Sequence, residues 1–509
     1  MMARHLRVVR NSGQTLLATL AMVICTAANS GPAWTVERRP PPADAYADKS
    51  RLFVLTDIGN EPDDQMSFIR LLLYANEIDI EGVAATTSIH LPNETHPETL
   101  TSIIDTYGSV RPMLLKNAEG WPSAADLRSR ISSGPKAYGM AAIDAAHPSS
   151  GALALIAAVD RADGRPLWVA IWGGANVLAE ALERVRVTRT PAALAKFVAK
   201  LRIYSISDQD DAGLWIRRGF PNLRYIVSPS SDDVLDYGSA TWSGISGDVF
   251  YRNGDGADSS IVTNGWLGRN VRKGPLGGRY PYAYAIMEGD TPSFLNLIPN
   301  GLGSAMSPGW GGWGGRYIWR RHPLAGGPIW TQGGFPSAGL DSRDEVGGID
   351  GRLHRSDQAT IWRWRSAFQN DFAARMDWTI KPFAEANHPP VPVVNGSKGL
   401  APITMQLTPG GVIDLDASAS YDKDRGQALI YRWSVYQEAG STFGRILPKV
   451  SLTDENNPRA RIASTCTSAC KPGEIHVILQ ITDDGTPALT RYRRVIIQIH
   501  PDKPDRSEN

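Results

Sequence analysis

Apolar runs alternate with amphipathic segments through most of the chain, and their lengths predict strands and helices in turn. Residues 51–57 have the apolar content of a buried strand and end in an acid, and residues 66–75 are apolar on most of a helix surface. Strands that alternate with helices predict an α/β domain, a mostly parallel open sheet with right-handed crossovers and helices on both faces. The other predicted elements are strands at 78–87, 166–172, 201–206 and 223–227 and a helix at 176–185.

Beyond residue 400 the helical pattern disappears and short alternating strands follow. They are predicted at 412–416, 429–435, 474–481 and 493–499, with turn residues between them. A series of this kind is typical of an all-β Ig-like sandwich of about 100 residues. Trp433 lies in the middle of a predicted strand, and we expect it in the core of the sandwich.

The N-terminus reads as a targeting segment. Basic residues precede an apolar run at 16–28 that is too short to span a bilayer comfortably, which is the order of a secretory signal. We therefore predict a secreted protein, extracellular or periplasmic, with no membrane span. The predicted boundaries are a signal peptide at 1–28, a flexible leader at 29–47, the α/β domain at 48–386, a Pro-rich linker at 387–399, the sandwich at 400–502 and a tail at 503–509.

Composition narrows the range of partners. Lys and Arg number 53 and Asp and Glu number 52, so the chain lacks the basic excess that a nucleic acid polymer attracts, and we expect no such partner. Only Cys466 and Cys470 follow the predicted signal peptide, and both one local disulfide and two free thiols fit their spacing. The 15 Trp residues are the feature that the composition alone leaves unexplained.

Carboxylates gather where the first predicted strand ends. Asp57 closes the strand, Gly59 allows a turn, and Asp63 and Asp64 open the following helix. Ligands of open α/β sheets bind at the carboxyl ends of strands, and crowded carboxylates repel one another unless a cation lies among them. Oxygen ligands select a hard ion, and irregular geometry favours Ca²⁺. Acids in the first turn of a helix also stabilise it without any metal, and this alternative stays open.

This element resembles the D-x-D-x-G-x-D-D signature of the inosine-uridine-type nucleoside hydrolases. Asp57, Gly59, Asp63 and Asp64 match, whereas Leu55 replaces the first acid and two residues are inserted before Asp63. Two further segments that share the resemblance are Gly173-Gly-Ala175-Asn176, similar to a calcium-ligating turn, and Glu288-Gly-Asp290, which matches the C-terminal metal-binding acid. The catalytic His that often precedes that acid is Gly289 here.

The whole chain resembles still more closely a secreted bacterial and fungal family described as cellulose-binding. In that family a nucleoside-hydrolase-like domain is followed by a sandwich domain. The segments that carry the likeness are 56–64, 205–213 and 288–294. The resemblance implies contact with a carbohydrate or glycoside, with plant cell-wall polysaccharide as one candidate, and the sequence is compatible with an oligomer.

The resemblance also implies a division of roles. Ca²⁺ would be held by Asp57, Asp64, the Ala175 carbonyl and Asp290, and Asp57 would remove a proton from the attacking water. Asp63 would hydrogen-bond a ring hydroxyl, with Asn176 alongside. Other candidate sugar contacts lie on loops: His90, Asn93, Asp208, Gln209 and Asp210. His90 is also a candidate acid. An ordinary loop His and a solvated acidic loop are the alternatives for these residues.

A glycine-rich loop offers the last candidate contact. Trp310 and Trp313 stand in the glycine-rich stretch 299–316, and sugar rings stack on flat indole faces. We expect them to bind substrate, and the alternative is that they pack the loop onto the protein. The predicted function is thus a secreted Ca²⁺-dependent hydrolase of a glycosyl bond, either N- or O-glycosidic. The alternative is a polysaccharide-binding protein without turnover.

Overall fold

The computed structural model describes residues 40–228, 235–322, 326–335, 340–440, 450–466 and 472–499. The predicted signal peptide, the leader up to residue 39, Cys470 and the predicted tail lie outside these residues. Cys466 is disulfide-bonded. Within the described ranges, no helix combines the length and the apolar character that a membrane crossing requires.

An eight-stranded sheet forms the larger part of the fold. Its strand order is β3-β2-β1-β4-β5-β6-β8-β7, and every neighbouring pair is parallel except β7 and β8. The sequence therefore predicted this sheet correctly as mostly parallel. The strands are β1 Arg51–Thr56, β2 Asp79–Ala85, β3 Ile131–Ser133, β4 Leu167–Ile171, β5 Leu201–Ser205, β6 Arg224–Val227, β7 Ile318–Arg321 and β8 Pro328–Thr331.

Both faces of this sheet are covered by apolar layers. Along β1, Leu52 and Val54 enter one buried cluster while Phe53 and Leu55 enter another, because successive side chains of a strand point to opposite faces. The helices are α1 Pro62–Leu72, α2 Pro97–Asn117, α3 Ala124–Arg128, α4 Ser150–Asp160, α5 Asn176–Thr188, α6 Pro191–Ala199, α7 Ala212–Gly219, α8 Leu235–Ser239, α9 Asn264–Asn270, α10 Gly274–Gly277, α11 Pro292–Leu295, α12 Ala359–Trp362 and α13 Arg365–Asp377.

Short antiparallel hairpins follow the main sheet, and then the all-β region begins. The short strands are β9 Gly334–Phe335, β10 Leu340–Asp341, β11 Asp344–Gly347, β12 Leu353–Ser356, β13 Val393–Val394 and β14 Ser397–Lys398. The sandwich strands are β15 Ile403–Leu407, β16 Val412–Asp416, β17 Leu429–Tyr436, β18 Val450–Thr453, β19 Arg459–Ser464, β20 Gly473–Asp483 and β21 Thr490–Ile499. They form the sheets β15-β21-β20-β17 and β16-β19-β18, and Trp433 lies in the core between them.

One apolar cluster joins the two regions, in addition to the sandwich's own core. Side chains of the sandwich, among them Tyr436, Ile478 and Tyr492, belong to the same buried cluster as the helices of the main sheet. Residues 387–390 of the predicted linker are buried, and His388 stacks on Trp378 with ring centroids 5.1 Å apart. The sandwich therefore packs directly against the α/β region, and the first residues of the predicted linker are part of this contact. The predicted domain boundaries stay predictions.

A neutral histidine lies buried at this junction. His476 of β20 is fully buried, with Arg494 Nη1 2.7 Å from its Nδ1 and Glu474 Oε1 2.8 Å from its Nε2. Since a guanidinium only donates, Nδ1 accepts and Nε2 carries the proton. Burial and the charge of Arg494 lower the pKa of His476 to about 4, against the opposing effect of Glu474.

We expect His476 itself to contribute a loss of stability between pH 6.5 and pH 4, seen as the difference between the wild type and His476→Gln. In that window the unfolded state binds a proton at His476 that the folded state does not, so unfolding gains favour as pH decreases. The shift corresponds to at most about 3 kcal/mol in the free energy of unfolding. Urea unfolding at several pH values measures this dependence for the wild type, His476→Gln and a control, His147→Gln, whose side chain is exposed. An equally steep pH dependence in His476→Gln would contradict the assignment.

Candidate active site at the carboxyl edge of the main sheet

The carboxyl end of β1 leads directly into the candidate site. Asp57 follows the strand and is buried, and α1 begins at Pro62 with Asp63 and Asp64 in its first turn. Proline is favoured in this position of a helix, and the helix dipole favours the two acids. Gly59 has a φ of +119°, and a Cβ atom there would lie 2.4 Å from Cδ2 of His96, so the turn requires glycine.

A second turn brings a fourth acid to the same place. Glu288 has a left-handed φ of 62° and is buried, and its carboxylate lies 2.6 Å from Arg70 Nε and accepts hydrogen bonds from Tyr280 and Thr291. These contacts fix the turn that carries Asp290. Glu288 is thus a positioning residue that the sequence reasoning missed, although it stands in the segment that the resemblance quoted.

We call Asp57, Asp63, Asp64 and Asp290 the carboxylate cluster. Oxygens of Asp63, Asp64 and Asp290 lie within 4.8 Å of one another. Asp57 shares a hydrogen bond with Asp64 and accepts one from Ser88 Oγ at 2.5 Å. Ser88 follows β2 as Asp57 follows β1, so the rule that points to the carboxyl edge of the sheet could have found it.

The electrostatics of the carboxylate cluster favour a cation. Burial raises the pKa of all four carboxyl groups, and the charges of neighbouring acids add to this effect at Asp63, whose pKa rises to about 7, and at Asp64 and Asp290. Asp63 Oδ1 and Asp290 Oδ2 are buried and accept no hydrogen bond from the described residues. Convergent carboxylate oxygens without other partners fit a hard divalent ion such as Ca²⁺.

The geometry suggests a different role for Asp63 from the one that the sequence suggested. Asp63, for which the sequence suggested a sugar contact, belongs to the group of three that converges on one point. Asp57 lies beside that group. A Cβ atom on Gly173, at the end of β4, would lie 2.7 Å from Asp57 Cγ, so glycine leaves the room that this carboxylate occupies.

Asn176 and Ala175 have structural partners. Asn176 is fully buried, donates to Thr87 Oγ1 and the Ala137 carbonyl, and accepts from Thr86 Oγ1. These bonds use both amide hydrogens and one lone pair of the oxygen inside the protein. The Ala175 carbonyl accepts the hydrogen bond of Ala179 N in α5, and its second lone pair is the one that a metal would use.

The acidic loop after β5 is also built into the protein. Asp208 pairs with Arg217 at 2.7 Å. Asp210 is buried and accepts hydrogen bonds from the backbone amides of Asn176 and Ala212, and burial raises its pKa to about 7. Gln209 donates to the Trp172 carbonyl at 2.8 Å. The contacts of Asp210 therefore fix the N-terminal ends of α5 and α7.

His90 and Asn93 lie on the exposed loop after β2. The backbone N–H of His90 donates to Ser88 Oγ, the same hydroxyl that donates to Asp57, so His90 lies near the carboxylate cluster. His96, on the same loop, packs against Gly59 and has its Nδ1 2.9 Å from Glu98 Oε1. This loop thus carries one predicted and one unpredicted histidine, His90 beside Ser88 and His96 against the turn at Gly59.

The two loop tryptophans lie at the junction with the sandwich. Trp313 is fully buried between Phe368 and Tyr492, with centroids 6.4 and 6.3 Å away, and it offers neither ring face to a polysaccharide. Trp310 is half-buried beside His476, and its carbonyl accepts a hydrogen bond from Arg494. This packing matches the alternative stated for the glycine-rich loop.

Comparison with known protein families identifies the chain. A family model for the nucleoside-hydrolase-like domain of cellulose-binding Sde182 matches residues 51–317, and a model for the C-terminal domain of cellulose-binding protein Sde0182 matches residues 412–499. The chain belongs to this family. The first match holds every member of the carboxylate cluster, and the second holds most of the sandwich. A comparison with curated proteins found no match.

One solved structure supports this assignment, and two others are similar to parts of the chain only. A nucleoside hydrolase-related hypothetical protein from Saccharophagus degradans, associated with carbohydrate metabolism, is 33% identical with a TM-score of 0.73, over 89% of this chain and all of the other. The PKD domain of the KIAA 1837 protein is 20% identical with a TM-score of 0.15, over 22% of this chain and 98% of the other. The type III effector XopQ complexed with adenosine diphosphate ribose is 12% identical with a TM-score of 0.28, over 56% and 88%.

Proposed function

We propose that this Sde182-family protein hydrolyses a glycosyl bond of a carbohydrate, assisted by a bound Ca²⁺. The observation that carries the proposal is the carboxylate cluster, in which two buried oxygens accept no hydrogen bond from the described residues. Predicted secretion and the family's description as cellulose-binding favour an O-glycoside of a polysaccharide over a nucleoside.

The residues of the site suggest separate tasks. Asp63, Asp64 and Asp290 would hold the ion, with the Ala175 carbonyl and Asp57 as further ligands by resemblance. A bound divalent cation lowers the pKa of a coordinated water. Asp57, oriented by its hydrogen bond from Ser88, is the general base that takes the proton of the attacking water.

The proposed reaction balances as a hydrolysis. The water oxygen forms a bond to the anomeric carbon, and the bond from that carbon to the leaving group breaks and gives its electron pair to the leaving group. The leaving group takes up a proton as it departs, and Asp57 releases the one that it removed. Gly289 supplies no acid for this protonation, and our candidate is His90, whose backbone N–H bonds to Ser88 Oγ beside Asp57.

Binding without turnover is the second candidate function. The description of the family as cellulose-binding favours it. The same carboxylates would then contact sugar hydroxyls, directly or through the ion, and no bond would break.

Turnover assays distinguish the two functions. We expect hydrolysis of at least one substrate from a panel of p-nitrophenyl glycosides, cello-oligosaccharides and nucleosides. Activity should disappear in EDTA, return with Ca²⁺ and fall by at least about 100-fold in Asp57→Asn, because general bases contribute about 10²–10⁴-fold. Glu94→Gln, which removes an exposed acid from the loop after β2, is the matched control. Retained binding to cellulose with no EDTA-sensitive turnover would contradict hydrolysis and support the binding function.

A further inference from the structure

An aromatic cluster lies beside the candidate site. Trp242 packs edge-on against Tyr237, with ring centroids 5.6 Å apart, and against Tyr251 at 6.0 Å. Phe250 continues the group and packs against Tyr251 at 5.6 Å. We call these four residues the aromatic wall. None of them was singled out by the sequence, because they come from a stretch of short helices and loops without a regular pattern.

The aromatic wall borders the carboxylate cluster through Gly289. A Cβ atom on Gly289 would lie 2.8 Å from Asp63 Oδ2 and 3.4 Å from Trp242 Cζ3, so both side chains reach the space that this glycine leaves open. Besides burial and Tyr237, the charges of Glu61 and Asp63 raise the pKa of Tyr251, which reaches about 12. The phenol therefore lies within electrostatic reach of the same acids.

Hydrogen bonds hold the segment that carries the aromatic wall. Ser246 Oγ donates to the Met287 carbonyl at 2.8 Å and accepts from Met287 N at 2.7 Å, so the segment is tied to the chain that leads into Glu288. Arg365 Nη2 donates to the Gly244 carbonyl at 2.9 Å. The position of Trp242 relative to the site is thus fixed by contacts of the residues that directly follow it.

Exposure differs along the aromatic wall. Trp242 is 5% exposed and supports the other rings, Tyr237 and Tyr251 are partly exposed, and Phe250 is 60% exposed. The aromatic wall therefore extends from Trp242, beside the buried acids, to Phe250 at the surface, and several of its rings are open to solvent. A ligand that follows it needs an apolar face on more than one successive unit and hydroxyl groups for the carboxylates at its inner end.

A chain of pyranose units meets both requirements. Each ring has an apolar C–H face that packs on aromatic carbon, while its edge carries hydroxyls that donate hydrogen bonds to a carboxylate such as that of Glu61. A nucleoside offers one flat base and one sugar, and would leave the outer rings uncovered.

We propose that the aromatic wall is the subsite that binds a neutral oligosaccharide chain of at least two pyranose units and directs it to the carboxylate cluster. The assignment rests on the proposed function for its choice of substrate. In this proposal the exposed rings of the aromatic wall stack on the sugars, and Trp310 and Trp313 do not.

Calorimetric titration with cellohexaose tests the aromatic wall. With Asp57→Asn as the background, so that the ligand is not consumed, we expect Tyr251→Ala and Phe250→Ala to weaken binding about tenfold each, the size of one aromatic contact. Tyr251→Phe keeps the ring and should bind normally. The matched control is Tyr421→Ala, which removes an exposed tyrosine of the sandwich and should change nothing. Melting temperatures identify any variant that fails to fold.

The outcomes separate the aromatic wall from the proposed hydrolysis. Unchanged cellohexaose affinity in folded Tyr251→Ala and Phe250→Ala would overturn the wall, whatever the turnover assays show. Affinity lost in these variants while the wild type shows no turnover would support the wall and refute hydrolysis. Binding of inosine that depends on Tyr251, with no binding of cellohexaose, would overturn the assignment to an oligosaccharide.

Discussion

Asp290→Asn is expected to reduce the affinity for Ca²⁺ by at least about 100-fold, more than the loss of a residue that only supports a ligand. Asp290 Oδ2 is buried and accepts no hydrogen bond from the described residues. Carboxylate oxygens of Asp290, Asp63 and Asp64 lie within 4.8 Å of one another. An amide there provides a weaker oxygen and removes one charge. Calorimetric titration of EDTA-treated protein with Ca²⁺ measures the loss.

The same substitution should have the opposite effect on the metal-free protein. Burial and the charges of Asp64, Asp63 and Asp57 raise the pKa of Asp290, so its ionised form is unfavourable in the fold without a cation. We therefore expect Asp290→Asn to melt at a higher temperature than the wild type in EDTA. Ca²⁺ should then stabilise the wild type, by about 2.7 kcal/mol at a concentration of 100 Kd, and not the variant.

A purely structural cluster would behave differently. If the four acids only support the helix and the turns, Ca²⁺ will change neither melting temperature, and Asp290→Asn will differ from the wild type equally with and without EDTA. Glu94→Gln, an exposed acid of the loop after β2, is the control for a general loss of negative charge. It should retain both the affinity for Ca²⁺ and the wild-type response to it.

The sequence could predict those elements whose side chains decide their structure locally. Strand β1 is an unbroken apolar run, and β16 was predicted with the same bounds that the structure shows, Val412–Asp416. Strands β7 and β8 were missed because Ile318–Arg321 mixes apolar and basic residues and Pro328–Thr331 begins with proline. Their place at the edge of the sheet is set by pairing with each other and with β6.

The candidate site divides in the same way. The rule that ligands meet the carboxyl ends of parallel strands led to Asp57, Asp63 and Asp64, which the structure brings together with Asp290. The rule does not say which polar groups at that edge the fold itself needs. At the start of α5, Asp210 accepts a hydrogen bond from the backbone N–H of Asn176, and the Asn176 side chain donates to Thr87. Only the three-dimensional contacts reveal these structural roles.

The two loop tryptophans show that the sequence around an aromatic residue does not predict whether its ring is exposed. Glycines around Trp310 and Trp313 suggested an open loop, but sandwich residues more than 150 positions later cover it, Tyr492 against Trp313 and Arg494 against Trp310. The exposure of an aromatic ring depends on what folds over it. The aromatic wall, by contrast, lies in sequence that has no comparable signal.

Asp371→Ala is expected to destabilise the protein by about 3–5 kcal/mol, since removing one partner of a buried ion pair leaves uncompensated charge. Asp371 of α13 is buried, and its carboxylate accepts hydrogen bonds from Tyr74, Arg375 and Arg491 at 2.7, 2.9 and 2.7 Å. Burial alone would raise the pKa of Asp371, but the charges of Arg491 and Arg375 hold it well below its usual range. Urea unfolding at pH 7 measures the effect.

Because Arg491 belongs to β21, the same carboxylate joins the sandwich to the α/β region. Asp371→Ala should therefore expose the junction, and limited proteolysis should cleave the variant near residues 387–399 faster than the wild type. The control is Asp105→Ala, which removes an ion pair with Arg128 in which both side chains are about half exposed, and should cost no more than about 1 kcal/mol. If Asp371→Ala matched this control in both measurements, Asp371 would not hold the junction, and the sandwich would depend on its other contacts, such as the hydrogen bond from Arg494 to the Trp310 carbonyl.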